Sequence, residues 1–253
     1  MQNSTDSSPR LSIVIPAFNE EDRLADTLLG ICEYLQGKDY SSEVIVVDDG
    51  SEDHTAEICE KFVSGHPWAR CLRSDRNYGK GHAVREGVLD SRGEYILMCD
   101  ADLATPIEEL DGFWRWIDDG ADIVIASRPL RDSHLVKRQP FYRELAGRTF
   151  NLAVQLLAVP GIQDTQCGFK LMSRQAGREI FSLCKLDGFS FDIEMLFLAN
   201  RLGYKTKECA VHWYHRPGSK VKLLRDGFRM LSDLVSIRLG RYSLPASCRR
   251  ADV

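Results

Sequence analysis

Two aspartates separated by one residue, Asp100 and Asp102, are the side chains best suited to chemistry in this chain. They follow Tyr95 to Cys99, a short and nearly continuous apolar run that reads as a strand buried on both faces of a parallel sheet. In open α/β sheets, the crevice outside the carboxyl ends of the strands is where ligands bind. Carboxylates leaving a strand together offer hard oxygens to Mg2+ or Mn2+, ions usually held by one or two carboxylates plus substrate phosphates. The same stretch also suits a plain strand end entering a helix, with Thr105 as N-cap, Pro106 at the first position and Glu108 and Glu109 in the first turn. Spacing alone does not separate the two readings.

The surrounding pattern must position these carboxylates. Leu11 to Ile15, Val44 to Val47, Ala69 to Leu72 and Ile123 to Ala126 are further strand-like apolar runs, and helical spacing fills the gaps between them. That alternation calls for parallel βαβ units with right-handed crossovers. Polar residues stand at four strand ends: Asn19 and Glu20, Asp49, Asp100 with Asp102, and Ser127 with Arg128. A single crevice would gather them. Beyond Arg128 the alternation breaks into a long polar connection over residues 127–148, then a helix from Phe150 to Ala158. A strand near Gly168 to Met172, helices near Gln175 to Leu183 and Asp192 to Arg201, a strand at Lys205 to Val211 and a last helix over 221–239 complete the reading.

With 253 residues, 43% hydrophobic and 28% charged, the chain can build one large core. One domain over residues 11–240 is expected, with a disordered polar tail at 1–10 and another at 241–253. The polar start predicts no leader or leading anchor, and no run reaches the roughly 18 to 20 apolar residues of a spanning helix. Eight cysteines lack any CxxC pair and read as reduced core residues, as in the cytoplasm. The net charge of −4 is unevenly placed: from Arg216 onward nine Lys and Arg face three Asp, a local +6 that leaves −10 for the rest. A basic end on an acidic body suggests an anionic partner. Aromatic and basic residues do not interleave as on stacking platforms, which argues against nucleic acid and favours a membrane surface. In the last helix, Leu224, Phe228, Leu231, Val235 and Leu239 recur at helical spacing beside Arg225, Arg229 and Arg238, a pattern that suits an interfacial helix as well as a packed one.

Taken in order, Ile13 to Glu20, Val46-Val47-Asp48-Asp49-Gly50-Ser51, Gly79-Lys80-Gly81 and Asp100-Ala101-Asp102 resemble the family 2 glycosyltransferases of the GT-A fold. Ser127-Arg128, Asp164, Gly168-Phe169-Lys170, Phe191-Asp192-Ile193-Glu194 and Arg216-Pro217-Gly218-Ser219-Lys220 resemble the polyprenyl-phosphate branch of that family. The resemblance spans residues 11–240. It implies a Rossmann-like three-layer α/β/α sandwich with a largely parallel central sheet, a nucleotide-sugar donor and a peripheral enzyme at the cytoplasmic membrane face.

Carried over by position, Pro16, Phe18 and Glu20 would line the base and ribose pocket, and Val47 and Asp49 would contact the base. Asp100 and Asp102 would hold ribose and metal, with Ala101 between them among the donor-binding residues, and Lys80 would lie near the diphosphate. Arg128, Arg143 and Lys220 match phosphate-binding positions, and Arg148 and Arg216 lie close to them in sequence. Asp102, Arg128 and Arg143 are the expected catalytic residues. Asp192 and Glu194 stand where hydroxyl-using members keep a base, and they equally suit a helix N-terminus, Asp192 as its cap. Asp49 likewise suits an N-cap, and Gly79 to Gly81 a plain turn. Mannosyl-transferring relatives carry a metal-binding glutamine where this chain has Ala104. UDP-glucose is therefore the expected donor and a polyprenyl or dolichyl phosphate the expected acceptor. GDP-mannose as donor, a soluble hydroxyl acceptor, or a noncatalytic binding module are the alternatives.

Overall fold

A computed structural model describes residues 8–135, 151, 153–216, 223–240 and 242. Arg143, Arg148 and Lys220, together with most of the 127–148 connection, lie outside the described residues.

Strands β1 (Leu11–Ala17), β2 (Ser42–Asp48), β3 (Ala69–Arg73) and β4 (Tyr95–Cys99) run parallel, in the order β3-β2-β1-β4. The helices between them are α1 (Leu24–Gln36), α2 (Thr55–Gly65) and α3 (Lys80–Asp90). A 3-10 turn at Ile107–Glu109 leads into α4 (Leu110–Asp118) and then β5 (Ile123–Ser127). The second half contributes β6 (His134–Leu135), β7 (Phe169–Ser173), α5 (Arg174–Leu183), α6 (Phe191–Leu202), β8 (Thr206–Ala210), β9 (His212–Trp213) and α7 (Leu223–Leu239). The seven-stranded sheet reads β3-β2-β1-β4-β7-β5-β8, and β6 pairs with β9 separately.

Only β7 is antiparallel to its neighbours in the large sheet, lying between β4 and β5. Its amino end therefore faces the carboxyl ends of the rest: Phe169 pairs with Cys99, and Gly168 O accepts from the Asp100 amide at 3.1 Å. Residues 164–168 are delivered to the crevice in this way. Strand alternation sends Val14 into one core with α3, α5 and α6, and sends Ile13 and Ile15 into a second core with α1 and α4. Apolar residues on both faces explain why the strands read as unbroken runs. Each fully buried Val, Leu or Ile contributes about 1.5 to 3 kcal/mol of transfer free energy. At Gly87 a Cβ would press into Val14 and Val47, so glycine sets how closely α3 approaches the sheet.

Helix α7 buries Leu234 and Ile237 in the first core, and Met230 is buried as well. Leu231 at 46%, Val235 at 53% and Leu239 at 76% exposure form a second apolar stripe that faces outward. Among the described residues no helix is long and apolar enough to cross a membrane.

Candidate active site

The carboxyl ends of β1, β2 and β4 and the amino end of β7 lie together at one edge of the sheet, where Asp100 and Asp102 follow β4. Thr105 does not cap a helix. Pro106 flanks the 3-10 turn with no side-chain cap, and the Thr105 hydroxyl lies 3.6 Å from Cys167 Sγ. The carboxylate pair is thus not explained by capping of the next element.

Asp102 Oδ1 accepts from the Ala104 amide at 3.0 Å, and Oδ2 lies 3.9 Å from an Arg23 nitrogen. Burial first, and then Asp100, push the Asp102 carboxyl up. Lys80 Nζ sits 2.6 Å from Asp100 Oδ1. Burial works against the Lys80 charge, yet Asp100 and then Asp192 raise its pKa well above the ordinary lysine value. Gly79, at φ 121, and Gly81 bring the start of α3 against residues 186–188, where a Cβ would overlap the Asp187 and Leu186 carbonyls. That close approach is more than a plain turn and aims Lys80 into the crevice.

Asp49 is 2% exposed and accepts from the Tyr78 amide at 3.1 Å and the Gly79 amide at 2.7 Å. It braces the loop before α3 and does not cap α2, whose flanking residue is His54. Burial pushes its carboxyl up against the pull of those amides. Phe18 lines an open pocket of about 590 Å3 with Gly50, Ser51, Glu52 and residues 73–77. Val47 faces a neighbouring hollow of about 660 Å3 beside Tyr78 and His82. Pro16 pairs with Val47 at the end of β1, Glu20 bonds Arg23 Nε at 2.7 Å, and the Ala101 carbonyl accepts from Thr27 at 2.7 Å. Sequence reasoning passed over Arg23, Thr27, Arg73 and Arg76. Arg23 and Arg76 lie on loops, Thr27 on α1 and Arg73 at the end of β3, with no motif around them.

Across the crevice, Lys170 has no solvent exposure and donates to the Cys167 carbonyl at 2.6 Å and to the Asp192 carboxylate. Asp192 is therefore half of a buried ion pair, not the cap of α6, which Ser190 flanks. Burial still leaves its carboxyl raised, with Lys170 and Lys80 pulling the other way. Glu194 accepts from the Lys185 and Leu186 amides at 2.9 Å and from the Tyr242 hydroxyl at 2.8 Å. Arg128 is forked onto Asp164, and Trp213 lies 5.6 Å from its guanidinium carbon. Arg216 is exposed, two residues beyond Tyr214, whose amide donates to Ala104 O at 2.8 Å.

Among the described residues no group of three or more His, Cys, Asp or Glu gathers as a metal cage. Two neighbouring half-buried carboxylates do suit a divalent ion that completes its shell with phosphate oxygens. A mostly parallel sheet with this carboxylate pair at the end of β4 and open pockets beyond the ends of β1, β2 and β3 fits a glycosyltransferase of the GT-A fold. The chain belongs to glycosyl transferase family 2, whose model matches residues 12–181. Dolichyl-phosphate beta-glucosyltransferase of Dictyostelium discoideum is 39% identical over 92% of this chain and 75% of its own length. The Homo sapiens protein of the same name is 37% identical over 92% of this chain and 76% of its own. Glucosyl-3-phosphoglycerate synthase of Mycobacterium tuberculosis, solved with Mn2+, UDP and glucosyl-3-phosphoglycerate, shares the fold at a TM-score of 0.66 and 22% identity, over 94% of this chain and 82% of that one.

Proposed function

We propose that this enzyme moves glucose from UDP-glucose to a dolichyl or related polyprenyl phosphate, inverting the anomeric carbon. The observation that carries this reading is the Lys170 and Asp192 pair. A hydroxyl acceptor needs a base, and the residue standing where such a base belongs is held in a buried ion pair. A phosphate nucleophile needs none, because its second pKa is about 6 and it arrives largely ionised. The names of the Dictyostelium and human relatives support glucose and dolichyl phosphate, and the UDP and Mn2+ in the mycobacterial enzyme support the donor side.

In this reading the base and ribose lie between the pocket beside Phe18 and the neighbouring hollow beside Val47, with Pro16, Glu20 and Asp49 as the other donor-binding residues. Asp100 and Asp102 hold Mg2+ or Mn2+, which supplies Lewis-acid stabilisation to the leaving diphosphate when bound. Lys80 lies beside that diphosphate. Arg128, held by Asp164, together with Arg143, Arg148, Arg216 and Lys220 would bind the acceptor phosphate as charge-assisted donors, with Arg128 and Arg143 also counted as catalytic. Catalysis is then positioning and charge stabilisation. The outward stripe of Leu231, Val235 and Leu239, flanked by Arg229 and Arg238, meets the membrane that carries the acceptor, at its cytoplasmic face.

A donor screen with a short polyprenyl phosphate in detergent tests the proposal, reading lipid-linked against free sugar. Glucose on lipid phosphate from UDP-glucose is the expected product. Transfer only from GDP-mannose, or only to a soluble hydroxyl, would overturn it.

A further inference from the structure

Asp100 already has a cation. Lys80 Nζ lies 2.6 Å from Oδ1, and the carboxylate occupies the space that a Cβ at position 168 would need, so it rests directly on Gly168. The Asp100 amide is tied to Gly168 O at 3.1 Å, which fixes the carboxylate against that wall. An ion reaching Asp100 must therefore compete with Lys80 for the exposed side. Asp102 is engaged too, with Oδ1 on the Ala104 amide and Oδ2 3.9 Å from Arg23. Two carboxylates face two cationic side chains, and among the described residues no third acidic, His or Cys ligand joins them.

We propose that Lys80 stands in for the divalent ion on Asp100 and yields that carboxylate only when an incoming diphosphate accepts its ammonium, so that metal and nucleotide bind as one coupled event. An ion arriving alone must displace the Lys80 ammonium, which already stands over the Phe191 ring at 5.9 Å, and brings no anion of its own to receive it. An ion arriving with a diphosphate brings that anion. The diphosphate oxygens take the ammonium, and Asp100 Oδ1 turns to the metal. Coupling of this kind is reciprocal: whatever factor the nucleotide adds to metal affinity, the metal adds to nucleotide affinity.

This inference rests on the donor half of the proposed function and is independent of sugar and acceptor. The test is direct binding of Mn2+ to the full chain in metal-free buffer, by the paramagnetic resonance of free Mn2+, with and without UDP. Wild type, Lys80→Met and Lys80→Arg are compared, with circular dichroism reporting folding. Wild type should bind Mn2+ at least about tenfold more tightly with UDP than without, and UDP should gain by the same factor from Mn2+. Lys80→Met should bind Mn2+ alone about tenfold more tightly than wild type while losing most of the coupling, and Lys80→Arg should keep the wild-type pattern. A folded Lys80→Met that binds Mn2+ alone no more tightly, or keeps its coupling, overturns this proposal and leaves the donor reading standing. Wild type that binds neither Mn2+ nor UDP removes both. Failure to glucosylate a lipid phosphate, with the Mn2+ pattern intact, removes only the acceptor reading.

Discussion

Arg128 and Asp164 meet as a two-pronged pair: Nε lies 2.7 Å from Oδ2 and NH2 2.8 Å from Oδ1, while the Arg128 amide also closes on Oδ2 at 3.0 Å. Glu208 ties this joint to β8 by accepting from the Ser127 hydroxyl at 2.6 Å and from the Gln163 and Asp164 amides at 2.9 and 3.0 Å. The end of β5 and the approach to β7 are thereby fixed to each other at the crevice.

Asp164→Asn should lower stability at neutral pH by about 3 kcal/mol, because it leaves the Arg128 charge without its counter-ion. Burial pushes the Asp164 carboxyl up, but Arg128 outweighs it and holds the carboxyl below its ordinary range. A depressed folded-state pKa contributes stability that is present above the unfolded value, near 3.9, and is lost as pH falls through the folded one. Urea unfolding as a function of pH should show wild type and variant far apart at pH 7 and converging below about pH 4. A constant gap down to strong acid would contradict the pairing.

Asp192→Asn should keep transfer to a polyprenyl phosphate within about tenfold per folded molecule, while lowering stability by about 3 to 5 kcal/mol through the unpaired Lys170. Adding Lys170→Met should restore part of that stability. Activity and unfolding measured on the single and double variants check both halves. A loss of about a thousandfold, the scale of a missing catalytic group, would return Asp192 to the role of base.

Removing Asp102 should act in opposite directions on function and stability. Asp102→Asn should lower transfer by at least about a hundredfold, as loss of a charge-stabilising group does. In EDTA the same variant should melt no lower than wild type, since one of two neighbouring, half-buried like charges is gone. Transfer rates and melting curves on one preparation decide it, and full wild-type activity in EDTA would exclude the metal.

On α7, Val235→Asp and Leu239→Asp should abolish sedimentation with anionic vesicles and change stability by no more than about 0.5 kcal/mol, because both positions are exposed. Arg229→Glu and Arg238→Glu should weaken binding by up to about 1 kcal/mol each, and salt should weaken it further. If wild type does not bind at low salt, the stripe serves something other than a bilayer.

The parallel half of the sheet was legible because β1, β2 and β4 are buried on both faces and each gives way to polar residues. The antiparallel insertion of β7 was not. Gly168 to Met172 reads as a strand, but nothing local says between which neighbours it pairs. The same limit separates Asp100 from Lys80: each stands in a visible motif, whereas the 2.6 Å contact depends on how α3 packs beside β4. Arg128 and Asp164 were both visible, and their mutual fork was not. Lys170 sits in an apolar stretch of β7, where only its depth beneath the crevice reveals a paired charge. On α7 the pattern read from spacing, Leu224, Phe228, Leu231, Val235 and Leu239, left out Met230, Leu234 and Ile237, the residues that the fold buries.

The place of β7 also fixes when this protein can first exist as an enzyme. During synthesis, β1 to β4 and Asp102 are made well before Phe169–Ser173 leaves the ribosome, so β4 waits with one edge unpaired. An apolar strand with a free edge is a template for other chains. Nor can Asp100 be seated, because the glycine against which it rests belongs to the same late segment. The nascent chain therefore passes through a window in which it holds most of a donor pocket, no finished ion site and an adhesive edge, and a holding chaperone is most needed between those two points of elongation.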